Sequence, residues 1–162
     1  MGGGGGSISS SDLNRLENIA KEKLSQSSKG NRHVFISFAY EDLDTVNMLR
    51  GQAKNDNIPI NFDDYSVKEP FDSKDSDYIK TKIRAKIDHC SITIVYLSNN
   101  AAKSKWVNWE IEESIKKNKS VIGVYSGDAP PSEFPPAFLA NKCKVVKWSD
   151  LQKAIEDASQ NR

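Results

Sequence analysis

The chain has 162 residues, with 23 Lys and Arg against 22 Asp and Glu for a formal net charge of +1. That length suits one globular domain, and the balanced charge points neither to nucleic acid nor to an acidic membrane surface. Five of the nine glycines are Gly2 to Gly6, and the other four are scattered. This excludes a P-loop or Rossmann turn, where clustered glycines let backbone amides approach phosphate.

In chain order, residues 1–10 read as a flexible Gly/Ser lead, lacking the basic and apolar regions of a signal peptide. Residues 11–31 read as an N-terminal helix and polar linker. Ser11 and Asp12 offer N-cap chemistry there, and Leu13, Leu16, Ala20 and Leu24 recur at helical spacing. Such a helix either docks on its own domain or makes an oligomer contact. A domain over 32–162 then alternates strand and helix. His33–Ala39 is an apolar run suited to a buried strand, and Asp42–Lys54 carries Leu43, Val46, Leu49 and Ala53 on one face. A short strand at Ile58–Asp63 leads into a loop, Asp64–Ser73, that contains Pro70. The helix Asp75–Asp88 sets Ile79, Ile83 and Ile87 four apart, and Cys90–Ser98, β-branched and apolar, reads as the central strand. The helix Ser104–Asn118 buries Val107, Ile111 and Ile115, while Glu112 and Glu113 read as a solvated face with Lys116 and Lys117. Strand Ser120–Tyr125, the proline-rich loop Gly127–Pro136, strand Cys143–Val146 and a helix opened by a Ser149–Gln152 capping box complete the chain. Five strands alternating with helices predict a flavodoxin-like three-layer α/β/α fold, a five-stranded parallel sheet in the order 2-1-3-4-5.

In that order a ligand site belongs beyond the carboxyl ends of strands 1 and 3, where the winding reverses. The residues delivered there include Ser37, Phe38, Ala39, Tyr40, Asp42, Asp63, Asp64, Tyr65 and Trp106, with Glu110 one turn later. Taken alone, Asp42 reads more readily as a helix cap than as a site residue, and Glu110 as a simple rim residue. A flavin phosphate loop does not fit SFAYED after strand 1, and a receiver's phosphoacceptor aspartate is missing from YLSNN after strand 3. Cys90 and Cys143 lie far apart in apolar runs and read as small buried hydrophobes of a reducing compartment rather than a disulfide or ligand pair. With His33 and His89 they match no zinc spacing, and neither histidine suits a Ser-His-Asp triad, so no metal is expected. Carboxylates and hydroxyls are left to do any chemistry.

HVFISFAYED resembles the first box of TIR (Toll/interleukin-1 receptor) domains. NFDDYSV with the following proline-bearing loop resembles their second strand and BB loop. SKWVNWEIEESI resembles the helix of enzymatic members, in which a tryptophan precedes the catalytic glutamate by four residues. The likeness runs in order from His33 to Ala158 and is nearest to bacterial TIR-like domains of the Thoeris antiphage type. It implies Glu110 as catalytic residue and Trp106 as the tryptophan before it. It further implies Ser37, Phe38, Ala39, Tyr40, Asp64 and Tyr65 as substrate-binding residues, and Asp64–Ser73 as the BB loop. One departure is that DYSVKEPFDS has no central glycine.

The implied activity is cleavage of NAD between nicotinamide and ribose, giving an ADP-ribose-derived signalling nucleotide, with NAD as substrate and no cofactor. The implied partners are further copies through TIR–TIR contacts and a product-sensing effector protein, in a cytoplasmic setting without nucleic acid or membrane. Two other readings stand beside it. One is a non-catalytic TIR scaffold working by homotypic assembly, with Pro70 and Phe71 as contact residues. The other is a nucleotide-binding regulator without turnover.

Overall fold

The computed structural model describes residues 9–18 and 32–160, which fall in two separate compact units. In the first, helix α1 covers residues 10–18. Its N-cap is Ser9, not Ser11, because the Ser9 hydroxyl accepts the Asp12 N–H at 3.2 Å and satisfies one of the free amides of the first turn. Leu13 and Leu16 are exposed within this unit. Ser10, expected in the lead over 1–10, opens this helix; positions 1–8 of that lead and positions 19–31 of the expected helix and linker lie outside the described residues.

The second unit is the α/β fold. Strands β1 (Arg32–Ser37), β2 (Ile60–Asp63), β3 (Ile92–Tyr96), β4 (Ser120–Tyr125) and β5 (Lys144–Lys147) form one parallel sheet in the order β2-β1-β3-β4-β5. β3 is central, and all five of its residues are buried. Helices α2 (Leu43–Asn55), α3 (Ser76–His89), α4 (Asn99–Lys103), α5 (Lys105–Lys116), α6 (Pro136–Ala140) and α7 (Leu151–Gln160) connect and cover the strands.

Alternation along the strands decides which helix meets which residue. Val34 and Ile36 of β1, with Ile92, Ile94 and Tyr96 of β3, pack against Val46 and Leu49 of α2 and Leu151 and Ile155 of α7. The intervening residues face the other way. Phe35 meets Ile79 and Ile83 of α3 and Trp106 of α5, and Val95 meets Val107 and Ile111 of α5. On that second face β4 contributes Gly123, where a Cβ would lie 2.4 Å from the Phe138 ring, so only glycine lets α6 approach.

Three local expectations change. Helix α4 was not anticipated: Ser98 caps it by accepting the Ala101 N–H at 2.9 Å, and Ser104, extended at ψ 118°, separates it from α5. Ser104 in turn caps α5 through the Val107 N–H at 3.1 Å. Proline at the first helical position starts the short α6 at the end of the expected loop. Ser149 lies inside a 3-10 turn, Trp148–Asp150, so the helix that follows begins at Leu151 without the Ser149–Gln152 box.

Candidate active site

The carboxyl ends of β1 and β3 meet at the switch point, and β1 ends there in Ser37. Because Ser37 shares the face of Phe35, its side chain points toward α5. Ser37 Oγ donates to Glu110 Oε1 at 2.8 Å, a bond between two groups that are each at most 3% exposed. Burial drives the Glu110 carboxyl up from 4.5 to about 8; the Ser37 hydroxyl opposes that rise, and the Asp64 carboxylate adds to it. A buried carboxyl held this far up at a sheet switch point makes Glu110 a candidate functional group, since burying a charge is otherwise costly.

The helix below Glu110 is held by a second polar pair. Ser114 Oγ donates to the Glu110 carbonyl at 2.8 Å and meets Thr93 Oγ1 at 2.7 Å. Glu113, one turn on, is buried rather than solvated as expected. Arg84 of α3 reaches across at 2.8 Å to pair with it, which offsets the cost of burying the carboxylate. Only Glu112 of the expected solvated pair is exposed, in contact with Asn108 at 3.1 Å.

The segment after β2 closes over this region. Trp106 is buried; its indole N–H donates to the Glu69 carbonyl at 2.8 Å, and Phe71 meets its ring edge-on with centroids 4.8 Å apart. Lys80 of α3 sits 4.4 Å from the Phe71 ring centroid and 5.6 Å from that of Trp109, holding the loop from its other end. Tyr65 and Val67 are half-buried against the same cluster. In this arrangement the loop packs on Trp106, one turn before the buried Glu110.

The other expected residues divide. Ala39 is buried behind Ser37. Phe38 packs against the α2–α7 cluster, so the structure does not bring it to Glu110. Tyr40 is exposed, with the Lys68 ammonium 5.8 Å above its ring. Asp64 pairs with Arg50 of α2 at 2.5 Å, and Asp63 pairs with Lys86 of α3 at 2.8 Å, so the two neighbours turn to opposite faces. Asp42 stands before α2 but makes no cap bond. Its carboxylate instead accepts from Ser98 Oγ and from Asn100 Nδ2 at 3.0 Å, tying the loops after β1 and β3 together.

Cys90 is buried and Cys143 half-buried, both as free thiols whose pKa values burial raises. Among the described residues no group of three His, Cys, Asp or Glu side chains could hold a metal ion, and no helix is long and apolar enough to cross a membrane.

A parallel sheet in the order 2-1-3-4-5, with a buried glutamate on α5 between its third and fourth strands and the loop from its second strand packed on the tryptophan one turn before it, is the arrangement of a TIR-like domain. The chain belongs to the family described as "Thoeris protein ThsB, TIR-like domain", which matches residues 35–130. A Bacillus cereus (strain MSX-D12) protein named "Putative cyclic ADP-D-ribose synthase ThsB1" is 28% identical over 98 residues, 58% of this chain and 51% of its own length. The chain therefore spans about half the length of that curated relative. The TIR domain of the Toll-related receptor TRR-2 from Hydra magnipapillata has the same fold, with a TM-score of 0.52 at 19% identity over 78% of this chain and 97% of its own.

Proposed function

We propose that this domain cleaves NAD at the bond between nicotinamide and ribose, with Glu110 as its catalytic residue. The observation that carries the reading is the buried Ser37–Glu110 pair at the switch point. The name of the Bacillus cereus relative agrees with it.

The chemistry needs little else. Breaking the C1′–N bond sends both bonding electrons to the pyridinium nitrogen, so nicotinamide leaves as a neutral molecule without a general acid. Positive charge develops on the ribose, as in glycoside hydrolysis. A carboxylate fixed in a site closed to water stabilises that charge strongly. The pyridinium also favours ionisation of Glu110 on binding, offsetting part of the burial cost. Ser37 holds the carboxylate in place, and Trp106, fixed by Glu69, walls the site. The resulting cation is captured by water to give ADP-ribose, or by a nucleophilic atom of the substrate itself to give a cyclic product.

In this reading the product serves as a signal in defence against phage, detected by a separate effector protein, and copies of the domain associate through TIR–TIR contacts. The test is mass spectrometry of the protein incubated with NAD, dilute and then concentrated or crowded. Nicotinamide appearing together with ADP-ribose or a cyclic isomer supports the reading. Intact NAD under every condition contradicts it in favour of a non-catalytic scaffold.

A further inference from the structure

Two clefts open beside the loop that packs on Trp106, of about 430 and 350 Å³, each within the range of small-molecule sites. They adjoin along the break between α4 and α5. Phe71, Lys103, Ser104 and Lys105 line both, and Trp106 lines the larger. Lys103 and Lys105 are exposed, and among the described residues neither is in an ion pair; Lys86, Lys116 and Lys117, by contrast, each have a carboxylate partner.

The charges are distributed unevenly along this double groove. Lys103 and Lys105 are the only charged residues common to the two clefts, so the ridge between them is cationic. Lys68 adds a third ammonium to the larger cleft, which also carries Glu41 and Glu69. Beyond the ridge, the smaller cleft presents Phe71, Trp109 and Pro136, with Glu112 as its one acidic residue. A ligand that fits such a groove has an anionic centre, a flat ring for the aromatic side, and a second end that tolerates carboxylates.

We infer that the Lys103–Lys105 ridge binds the pyrophosphate of a dinucleotide, with the purine in the cleft lined by Phe71 and Trp109 and the other end directed past Trp106 toward Glu110. The identity of the ligand as NAD rests on the function proposed above; the anion site rests on the ridge itself. Lysine suits it, because a compact ammonium meets phosphate oxygens as a point charge without the fixed geometry that arginine imposes. Phe71 lies under both clefts and is held by Trp106 and Lys80. Occupation of the groove therefore bears directly on the loop that packs on Trp106.

The test compares the full chain with its Lys103→Gln/Lys105→Gln variant, both positions being exposed and the fold checked by circular dichroism. ADP, adenosine and NAD are the probes. The inference predicts that the double substitution weakens ADP binding by about tenfold or more, as for lost hydrogen bonds to charged groups, and leaves adenosine binding unchanged. It also predicts a rise of the same order in KM for NAD, with kcat nearly constant. ADP affinity equal in the two proteins, or no ADP binding by the wild type, overturns the inference. If NAD is turned over with the same KM by both proteins, the anion site falls while the proposed activity stands. If the wild type leaves NAD intact but loses ADP on substitution, the anion site stands and the proposed activity falls.

Discussion

The two faces of strand β1 differ more than their neighbouring residues suggest. On one, Val34 and Ile36 join an apolar cluster with α2 and α7. On the other, Phe35 is followed by Ser37, and that face also buries Thr93, Glu110, Glu113 and Ser114. Burying an apolar side chain there would stabilise the fold, whereas each buried polar group must find a partner to avoid a net cost. The α2–α7 face of β1 is thus apolar, and the α3–α5 face gives up some stability by burying a carboxyl group.

Substitutions on the two faces should separate these roles. The largest effect expected is that of Glu110→Gln, which keeps the shape and a contact to Ser37 but removes the charge. Nicotinamide release should fall by at least about a hundredfold, measured by chromatography of the products. The same variant should alter how stability depends on pH. Glu110 is pushed up to about 8 in the fold, so its contribution is fully present below its ordinary value of 4.5 and is lost as pH rises through about 8. Thermal denaturation should therefore show the wild type declining across that window more steeply than Glu110→Gln.

On the apolar face, Ile36→Ala should cost about 2–5 kcal/mol of stability in urea unfolding. Nicotinamide release per folded molecule should be unchanged. An equal loss of turnover would mean that the two faces are not separate in function. Trp106→Phe keeps most of the packing against Phe71 but loses the indole bond to Glu69, and should cost about 1 kcal/mol. Hydrogen exchange should then quicken in residues 65–71 before anywhere else on that face. Ser37→Ala should produce the smallest change in stability. It removes the bond that lowers the Glu110 pKa, so the midpoint of the pH–rate profile should move upward, and Ser37→Thr should restore it.

Much of this contrast was legible in the sequence. The apolar runs and their spacing gave the five strands and their order, because β-branched stretches bounded by helical periodicity have few right-handed arrangements. Trp106 and Glu110, four apart on one helix, could be placed beyond the strand ends. The partner of Glu110 could also have been found, since strand alternation puts Ser37 on the face of Phe35. What could not be read were contacts between distant segments. Glu113 looks solvated beside its lysines until Arg84 of α3 arrives. Asp42 looks like a cap until Ser98 and Asn100 claim it. Phe38 belongs with Ser37 among the legible residues, since the same alternation puts it with Val34 and Ile36 on the α2–α7 face. Helix α4 was hidden for another reason: at five residues it is too short for periodicity to register, and only its Ser98 cap gives it away.

The central claim is that the ionised carboxylate of Glu110, buried beside Ser37, stabilises the charge that develops on ribose. The most direct measurement is kcat/KM for nicotinamide release by the wild-type protein from pH 6 to 9, which reports the ionisation of the free enzyme. The account predicts a rate that climbs with pH through a single midpoint near about 8, the value that burial gives Glu110. A rate that is flat over this range, or that falls as pH rises, would contradict it.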